Sequence, residues 1–399
     1  MHHDLAPASS SESGLRVLFL DHSAALGGAE LYLLDLAPAF APPGKVLLLE
    51  EGPFYEKLRA AGIPVEVIAA PEKVRRVVRE AGPSSALRAV PGLLRLAWQV
   101  ARKARAFDLI YANSQKALVV GSLAARMARR PLVWNLHDVL TTAHFSRLNI
   151  RLAVTLANQF GRLVIANSEA SREAFRQAGG RLPVAVVPNG FDVQRFAPKP
   201  PEQIAALRQA LGLSPGPVVG LFSRLAPWKG QHVLLEALAQ LPEVQALLVG
   251  EALFQEEQRY AQQLRERAAQ DDLHGRVHFL GFREDVPLLL QLVDVVVHTS
   301  IAPEPFGRVI VEGMLARRPV IATRGGGAVE IVRDGETGLL VPPGDVQALA
   351  AAIRHLLDHP AQARQLAEAA YQDAHRRFSI EAVRQAVRQV LLQGLSPVR

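Results

Sequence analysis

Residues His298–Glu312 read HTSIAPEPFGRVIVE, and this stretch predicts how the chain folds around its candidate site. It continues an apolar, β-branched run at Val293–Val297, which is typical of a buried strand. From Arg308 onward apolar residues recur at helical spacing, so the segment predicts a strand, a loop and a helix. Glu304 then lies in the loop and Glu312 in the second helical turn. The free backbone N–H groups at the start of such a helix form an anion site.

Two carboxylates beside an anion site would repel a bare phosphate, but they suit a ligand that also carries hydroxyls. An ionised Glu side chain accepts hydrogen bonds from the hydroxyls of a sugar. A nucleotide-sugar combines such hydroxyls with phosphates. The pair Glu304 and Glu312 therefore indicates a nucleotide-sugar site.

The rest of the chain alternates apolar strand patterns with helical patterns, which predicts parallel, doubly wound sheets. In the first half, the predicted strands are Leu15–Asp21, Lys45–Glu50, Val65–Ile68, Leu109–Ala112, Leu132–Leu136, Leu163–Ala166 and Val184–Val187. In the second half, they are Val218–Phe222, Ala246–Val249, Val277–Leu280, Val293–His298 and Val320–Ala322. The linker-like run Pro198–Pro201 between these halves predicts a domain boundary.

The spacing Glu304-x7-Glu312, with Phe306-Gly307 inside it, resembles the signature of retaining glycosyltransferases of family 4, also called glycosyl transferases group 1. The resemblance covers roughly residues 15–375. It implies a hexosyltransferase with the GT-B fold, in which two Rossmann-like domains face each other across a cleft. In that family the first Glu contacts the transferred sugar and the second contacts the ribose. The resemblance assigns these roles to Glu304 and Glu312 and places Phe306 and Gly307 at the substrate.

The resemblance also implies a division of the chain. We expect a disordered tail over 1–14, an acceptor-binding Rossmann-like domain over 15–195, a linker over 196–215, a nucleotide-sugar-binding domain over 216–375, and a C-terminal helix over 376–399 that crosses back to the first domain. The donor would therefore bind the second domain, and the acceptor the first.

Two cations, Arg224 and Lys229, follow the predicted strand Val218–Phe222. The planar Arg fork and the Lys point charge suit a pyrophosphate, and the pair matches the donor-phosphate pair of the resembling family. A structural role is the alternative. Because the sequence has no Asp-x-Asp pair and no cluster with metal-ligand spacing, we expect neither a metal nor another cofactor. Arg224, Lys229 and helix N-termini would then neutralise the leaving diphosphate.

Three further segments are candidates for substrate contacts. Gly27-Gly28, between a predicted strand and helix, lets the backbone approach a ligand, the alternative being a tight turn. His137 ends the strand Leu132–Leu136, and in the resembling family a His here lies beside the reacting sugar; a capping role is the alternative. Phe282 and Arg283 lie in a loop that contacts the nucleobase in that family.

The charge of this chain of 399 residues is uneven. Residues 1–193 hold 23 Lys and Arg against 16 Asp and Glu, whereas residues 194–399 hold 22 against 22. Residues 73–130 alone hold 13 basic side chains against 2 acidic ones. This excess indicates an anionic partner, such as lipid head groups or a lipid-linked or phosphorylated acceptor, and we expect no nucleic acid. Solvated helix faces are the alternative explanation.

The sequence predicts a cytoplasmic protein. It has no Cys, its first residues are polar, and no apolar run approaches the roughly 20 residues that cross a bilayer. Within Leu87–Arg105, apolar residues alternate with Arg and Lys, which favours a peripheral contact with the inner membrane face. The alternative is a helix that covers a sheet and is interrupted at Pro91-Gly92.

Together these features predict a retaining, metal-independent glycosyltransferase that moves a sugar from a UDP- or GDP-sugar to an acceptor hydroxyl. The basic first half favours envelope polysaccharide or glycolipid synthesis. In the reaction that the resemblance implies, the leaving phosphate oxygen takes the acceptor's proton. Another GT-B enzyme, such as a sugar-phosphate synthase or a nucleotide-sugar epimerase, and a catalytically idle scaffold of a membrane-bound assembly complex are the alternatives.

Overall fold

The computed structural model describes residues 14–22, 26–40, 44–71, 83–142 and 145–395, with the main chain alone for 83–88 and Glu256. The predicted tail, apart from Gly14, lies outside these residues. Within them the chain forms two parallel sheets covered by helices. The predicted α/β class and doubly wound architecture are confirmed.

The first sheet has seven strands, in the order β3-β2-β1-β4-β5-β6-β7. They are β1 (Val17–Asp21), β2 (Lys45–Leu48), β3 (Val65–Val67), β4 (Leu109–Ala112), β5 (Leu132–Leu136), β6 (Leu163–Ala166) and β7 (Val184–Val186). The order reverses between β1 and β4, which pair in parallel with Val17 opposite Leu109. The carboxyl ends of these two strands form the point where such sheets bind ligands.

The second sheet has six strands, in the order β10-β9-β8-β11-β12-β13. They are β8 (Val218–Phe222), β9 (Gln245–Val249), β10 (Val277–Gly281), β11 (Val295–His298), β12 (Val320–Thr323) and β13 (Leu339–Val341). Here the order reverses between β8 and β11, which also pair in parallel. The residues that follow these two strands include Lys229 and Glu304.

Alternating side chains of the second sheet enter two separate cores, one on each face. Val218 and Val296 belong to one core, and their neighbours Val219 and Val297 belong to the other. Successive residues of a strand point to opposite faces. Both faces are buried under helices, which explains why these strands read as continuous apolar runs.

The helices lie mostly between consecutive strands. Those of the described residues are α1 (Gly28–Leu36), α2 (Pro53–Ala60), α3 (Pro83–Ala104), α4 (Gln115–Ala128), α5 (Arg147–Phe160), α6 (Glu169–Gln177), α7 (Pro201–Ala210), α8 (Gln231–Leu238), α9 (Gln255–Ala268), α10 (Val286–Leu292), α11 (Arg308–Leu315), α12 (Ala328–Ile331), α13 (Val346–Asp358), α14 (Pro360–Phe378) and α15 (Ile380–Leu395). Ser168 caps α6 by accepting a hydrogen bond from the backbone N–H of Ser171 at 3.0 Å.

The predicted interruption at Pro91-Gly92 is wrong, because α3 runs through both residues. Leu96, Val100 and Ala104 are fully buried on one side of this helix, which packs on α4. Pro91 itself is exposed. The packing of the apolar stripe therefore offsets the backbone hydrogen bond that a proline removes.

Contacts divide the chain into two compact units: Met1–Asn135 with Gln159–Leu163, and Leu136–Asn158 with Val164–Arg399. The domain boundaries and the crossing of the last helix stay predictions. No helix within the described ranges has both the length and the apolar character needed to cross a bilayer.

Candidate active site

Glu304 is the centre of a cluster of polar side chains at the switch point of the second sheet. One carboxylate oxygen lies 2.5 Å from the Lys229 ammonium. The other lies 2.5 Å from Nε2 of His298 and accepts a hydrogen bond of 2.8 Å from the Ser300 hydroxyl. Burial by itself would raise the pKa of Glu304, but the charges and hydrogen bonds of Lys229 and His298 hold it well below its usual value. Glu304 is therefore an ionised carboxylate at neutral pH.

The loops after β8 and β11 are joined to each other, which fixes Lys229 beside Glu304. The Thr299 hydroxyl donates to the Lys229 carbonyl at 2.8 Å, and the Ile301 N–H donates to the Trp228 carbonyl at 2.8 Å. Gly230 ends this turn with a φ of +69°, and a Cβ there would lie 2.1 Å from the Thr299 carbonyl oxygen. Only glycine allows this approach.

A glycine-rich turn supports Glu304 from the other side. The Gly327 N–H donates to the Glu304 carbonyl at 2.8 Å. Gly326 has a φ of +55°, and a Cβ on it would lie 2.1 Å from the same carbonyl oxygen. The turn therefore positions the Glu304 main chain, in keeping with the absence of any reactive side chain in Gly325–Gly327.

Arg224 follows β8 but is held by a different acid. Its Nε lies 3.0 Å from Glu257, and its guanidinium lies 5.3 Å from the centre of the Phe254 ring. The side chain of Arg224 is about one third exposed, whereas that of Glu257 is buried. Lys229 alone of the two predicted cations thus contacts Glu304, while Glu257 orients Arg224.

The two other motif residues on this segment have distinct surroundings. Glu312 lies on α11 with its carboxylate 3.6 Å from Nε of Arg308. The Phe306 ring is buried and packs on the rings of Phe191 and Phe378. Its side chain therefore lies in the core, and the predicted substrate contact at Phe306 stays a prediction. Gly307 starts α11 with a φ of +97°, which favours glycine.

A cavity of about 260 Å³ opens at the carboxyl ends of β9 and β10. Leu225, Gly250 and Gly281 are among its lining residues. Phe282 follows directly and is more than half exposed. Arg283 makes a two-pronged ion pair with Asp285, at 2.7 and 2.6 Å.

The remaining predicted residues lie at the carboxyl ends of strands in the first sheet. His137 follows β5, and its carbonyl accepts a hydrogen bond of 3.4 Å from the Asn167 amide. The Gly27 N–H donates to the Glu30 carboxylate at 3.0 Å, and α1 begins at Gly28. The structure thus gives His137 and the Gly27-Gly28 turn positions next to the sheet edge.

Sequence reasoning gave no role to His298, Ser300 or Thr323, although all three belong to the Glu304 cluster. Thr323 donates to the Ser300 carbonyl at 2.8 Å and lies 3.3 Å from Nδ1 of His298. His298 and Thr323 are the last residues of neighbouring strands. Polar residues that end adjacent parallel strands are the signal that could have identified them.

Comparisons with known proteins identify the family of this chain. Residues 203–373 match the family model of glycosyl transferases group 1, and residues 26–195 match that of glycosyltransferase family 4. The putative glycosyltransferase EpsD of Bacillus subtilis is 31% identical over 280 residues, which are 66% of this chain and 70% of EpsD. The chain belongs to the group 1, family 4 glycosyltransferases. The predicted family and enzyme class are confirmed.

Two further comparisons characterise this glycosyltransferase. The lipopolysaccharide core biosynthesis glycosyltransferase LpsE of Rhizobium meliloti is 32% identical over 229 residues. These residues are 57% of this chain, and the match covers 63% of the length of LpsE. The crystal structure of Anabaena HepE in complex with UDP and glucose is 46% identical, with a TM-score of 0.86, and the match covers 95% of this chain and 99% of HepE. The predicted GT-B fold is confirmed.

Proposed function

We propose that this glycosyltransferase transfers a hexose from a nucleotide-diphosphate sugar with retention of configuration, and that UDP-glucose is its donor. The observation that carries the proposal is the ionised Glu304 carboxylate held between Lys229 and His298. Such a carboxylate accepts hydrogen bonds from sugar hydroxyls, and the neighbouring ammonium attracts the diphosphate. The likeness to HepE, whose structure holds UDP and glucose, favours uridine as the base and glucose as the sugar.

The other donor contacts follow from the surroundings of Glu304. Glu312, partly exposed on α11, would accept hydrogen bonds from the ribose. The cavity beside Gly250 and Gly281 would hold the nucleobase, with Phe282 at its rim. Glu257 lies against Nε of Arg224, and the guanidinium would bind phosphate through its terminal N–H groups.

Transfer would not need a metal ion. Lys229, Arg224 and the N-terminus of α11 would neutralise the charge that grows on the leaving UDP. The bond between the anomeric carbon and the phosphate oxygen breaks as the acceptor oxygen bonds to the same face of the sugar. That phosphate oxygen takes the acceptor's proton, with His137 beside the reacting sugar. Glu304 binds hydroxyls and forms no covalent intermediate.

We place this reaction in envelope polysaccharide or glycolipid synthesis, at the cytoplasmic face of the membrane, on a lipid-linked or otherwise anionic acceptor. The similarity to LpsE, a lipopolysaccharide core glycosyltransferase, supports this role. A second support is α3, where Val90, Leu94 and Trp98 are each between 42% and 51% exposed at a spacing of four residues. The exposed Arg95 and Arg102 lie on the same helix, so that the helix offers both apolar and cationic contacts to a lipid surface.

Thermal unfolding with UDP-, GDP- and ADP-sugars, in EDTA, tests the donor proposal. At 100 times its dissociation constant, UDP-glucose should add about 2.7 kcal/mol to the free energy of unfolding. Glu312→Ala should weaken this effect, whereas Glu381→Ala, on the exposed side of α15, should not. NMR of the product should show the α-anomer.

Three outcomes would contradict the proposal. No stabilisation by any nucleotide-sugar, with or without Mg²⁺, would favour an idle scaffold. If a transfer product forms only when the acceptor is a sugar phosphate, the result would favour a sugar-phosphate synthase. A product of inverted configuration would exclude the retaining mechanism.

A further inference from the structure

A second polar cluster lies at the switch point of the first sheet and has no part in donor binding as proposed above. Asp21 ends β1, and His22 follows it; Asn113 and Ser114 follow β4. Although 92 positions separate the two pairs, β1 and β4 are neighbours in the sheet. The four side chains therefore meet at the edge where this sheet would receive a ligand.

The cluster holds the His22 ring in one orientation. Nδ1 of His22 lies 2.7 Å from the Ser114 hydroxyl and 3.4 Å from the Asp21 carboxylate. The backbone N–H of His22 donates to the same carboxylate at 2.6 Å. Asn113 donates to the other oxygen of Asp21 at 2.6 Å, and Asn135 in turn donates to Asn113 at 3.1 Å.

Asp21 is completely buried, whereas 29% of the His22 side chain is exposed. A buried carboxylate next to Nδ1 favours the imidazole tautomer that carries its proton there. Nε2 then keeps a lone pair, and among the described residues it has no hydrogen-bond partner. Such a nitrogen accepts a hydrogen bond from a hydroxyl.

The charges around His22 disfavour a phosphate as the group bound there. Asp21 and Glu30 are both buried acids, and burial together with the charge of Asp21 raises the pKa of Glu30 to about 7, so that Glu30 is partly ionised at neutral pH. The described cluster contains no Lys or Arg. A phosphate would be repelled by these acids without a compensating cation. A neutral hydroxyl, in contrast, can donate a hydrogen bond to Nε2 of His22, whose orientation is fixed.

We infer that Nε2 of His22 binds the acceptor, by accepting a hydrogen bond from a hydroxyl of a neutral sugar unit, and that Asp21 and Ser114 position the ring for it. This inference rests on the proposed transfer to an acceptor hydroxyl and adds the residue that recognises it. An anionic or lipid group of the acceptor would then lie away from His22. No proton transfer is assigned to the imidazole.

Two substitutions at His22 separate recognition from folding. Gln can place its side-chain oxygen near the position of Nε2, whereas Asn retains only a group near Nδ1. With UDP-glucose as donor, and methyl glucosides, galactosides and mannosides as acceptors, His22→Asn should lower kcat/KM for the glycoside by about 10- to 100-fold. His22→Gln should stay within about fivefold of the wild type, and the exposed control His274→Asn should equal it.

Donor-side measurements in the same variants show whether the effect is specific to the acceptor. UDP binding and the slow hydrolysis of UDP-glucose by water should be unchanged in His22→Asn, with the loss seen in KM for the glycoside. The imidazole NMR signal that disappears in His22→Asn should shift in the wild type when a methyl glycoside is added, with or without UDP.

The outcomes separate this inference from the donor proposal. If no methyl glycoside shifts the His22 signal, or if His22→Asn keeps the wild-type kcat/KM, the inference is overturned even though donor binding stands. If glucose 6-phosphate shifts the signal and the neutral glycosides do not, the site binds phosphate and the inference is again overturned. If UDP-glucose does not bind but glycosides still shift His22, the donor proposal fails and the sugar site stands.

Discussion

At the scale of single residues, the surroundings of two buried glutamates shift their pKa values in opposite directions. Glu304 has a cation and an imidazole against its oxygens, so its pKa falls well below the usual value. Glu30 is buried near Asp21, and loss of solvent together with that charge raises its pKa to about 7. At neutral pH the Glu304 side chain is therefore ionised, whereas the Glu30 side chain is half protonated.

The raised pKa of Glu30 predicts a stability that falls as pH rises. Between about pH 4.5 and 7 the folded chain retains a proton that the unfolded chain has released, so ionisation costs about 3 kcal/mol above pH 7. Glu30→Gln removes this cost and still offers an oxygen to the Gly27 N–H. Urea denaturation should show the variant gaining stability over the wild type between pH 5 and pH 8. Glu381→Gln should gain none, and an equal difference at both pH values would contradict the assignment.

Removing the cation beside Glu304 should impair both turnover and folding. Lys229→Met leaves a buried carboxylate with only His298 and Ser300, which should cost about 3 kcal/mol in the free energy of unfolding. Loss of a preorganised positive charge should lower kcat by about 100- to 1,000-fold. Steady-state kinetics and urea denaturation measure the two effects. The control is Lys199→Met, at a residue in the segment between β7 and β8. Wild-type turnover in Lys229→Met would exclude Lys229 from the site.

At the scale of elements, the site depends on main-chain contacts between loops that follow neighbouring strands. The turn before α12 contacts the loop before α11 through the Glu304 carbonyl. The turn after β8 contacts the loop after β11 through Thr299 and Ile301. These loops hold one another, and their hydrogen bonds fix the main chain of Glu304.

Adjacent glycines in the turn before α12 provide a matched pair of variants. Gly326→Ala puts a Cβ against the Glu304 carbonyl and requires an unfavourable positive φ, so we expect a loss of about 2 kcal/mol in stability. At Gly325 a Cβ would meet no atom within 4 Å. Thermal unfolding and donor binding should therefore be close to wild type in Gly325→Ala and weakened in Gly326→Ala. Equal behaviour of the two variants would show that the turn does not position Glu304.

At the scale of the whole molecule, the charge is concentrated in one part of the chain. The formal net charge is +7, and all of this excess comes from residues 1–193, because the remainder is balanced. Charge of this kind acts over about 10 Å at 0.1 M salt. In the proposed membrane association, this charge would attract an anionic surface before any apolar side chain of α3 makes contact.

Membrane binding should therefore depend on both salt and α3. Co-sedimentation with phosphatidylglycerol vesicles should fall steeply between low and high salt, and phosphatidylcholine vesicles should bind weakly. Replacing Leu94 and Trp98 by Ser should weaken binding at low salt without changing the melting temperature, because both side chains are exposed. Leu392→Ser, exposed on α15, should bind as the wild type does. Vesicle binding that does not change with salt concentration or with these substitutions would contradict the membrane proposal.

The sequence by itself determined the architecture and the segment that carries the site. Runs such as Val218–Phe222 must be buried on both faces, and their alternation with helices allows few topologies. The strand, loop and helix around Glu304 follow from local patterns, because hydrophobic periodicity and a glycine before a helix are properties of neighbouring residues. The family resemblance added the predicted roles of Glu304 and Glu312.

Only the tertiary structure decided which side chains meet. Lys229 lies 75 positions from Glu304, and Ser114 lies 92 from His22; they are neighbours because the strand order places β8 beside β11 and β1 beside β4. The contact of Arg224 with Glu257, the burial of the Phe306 ring and the unbroken helix at Pro91 also arise from packing between distant segments. Strand order and packing depend on the whole chain at once, so no local pattern could have determined these partners.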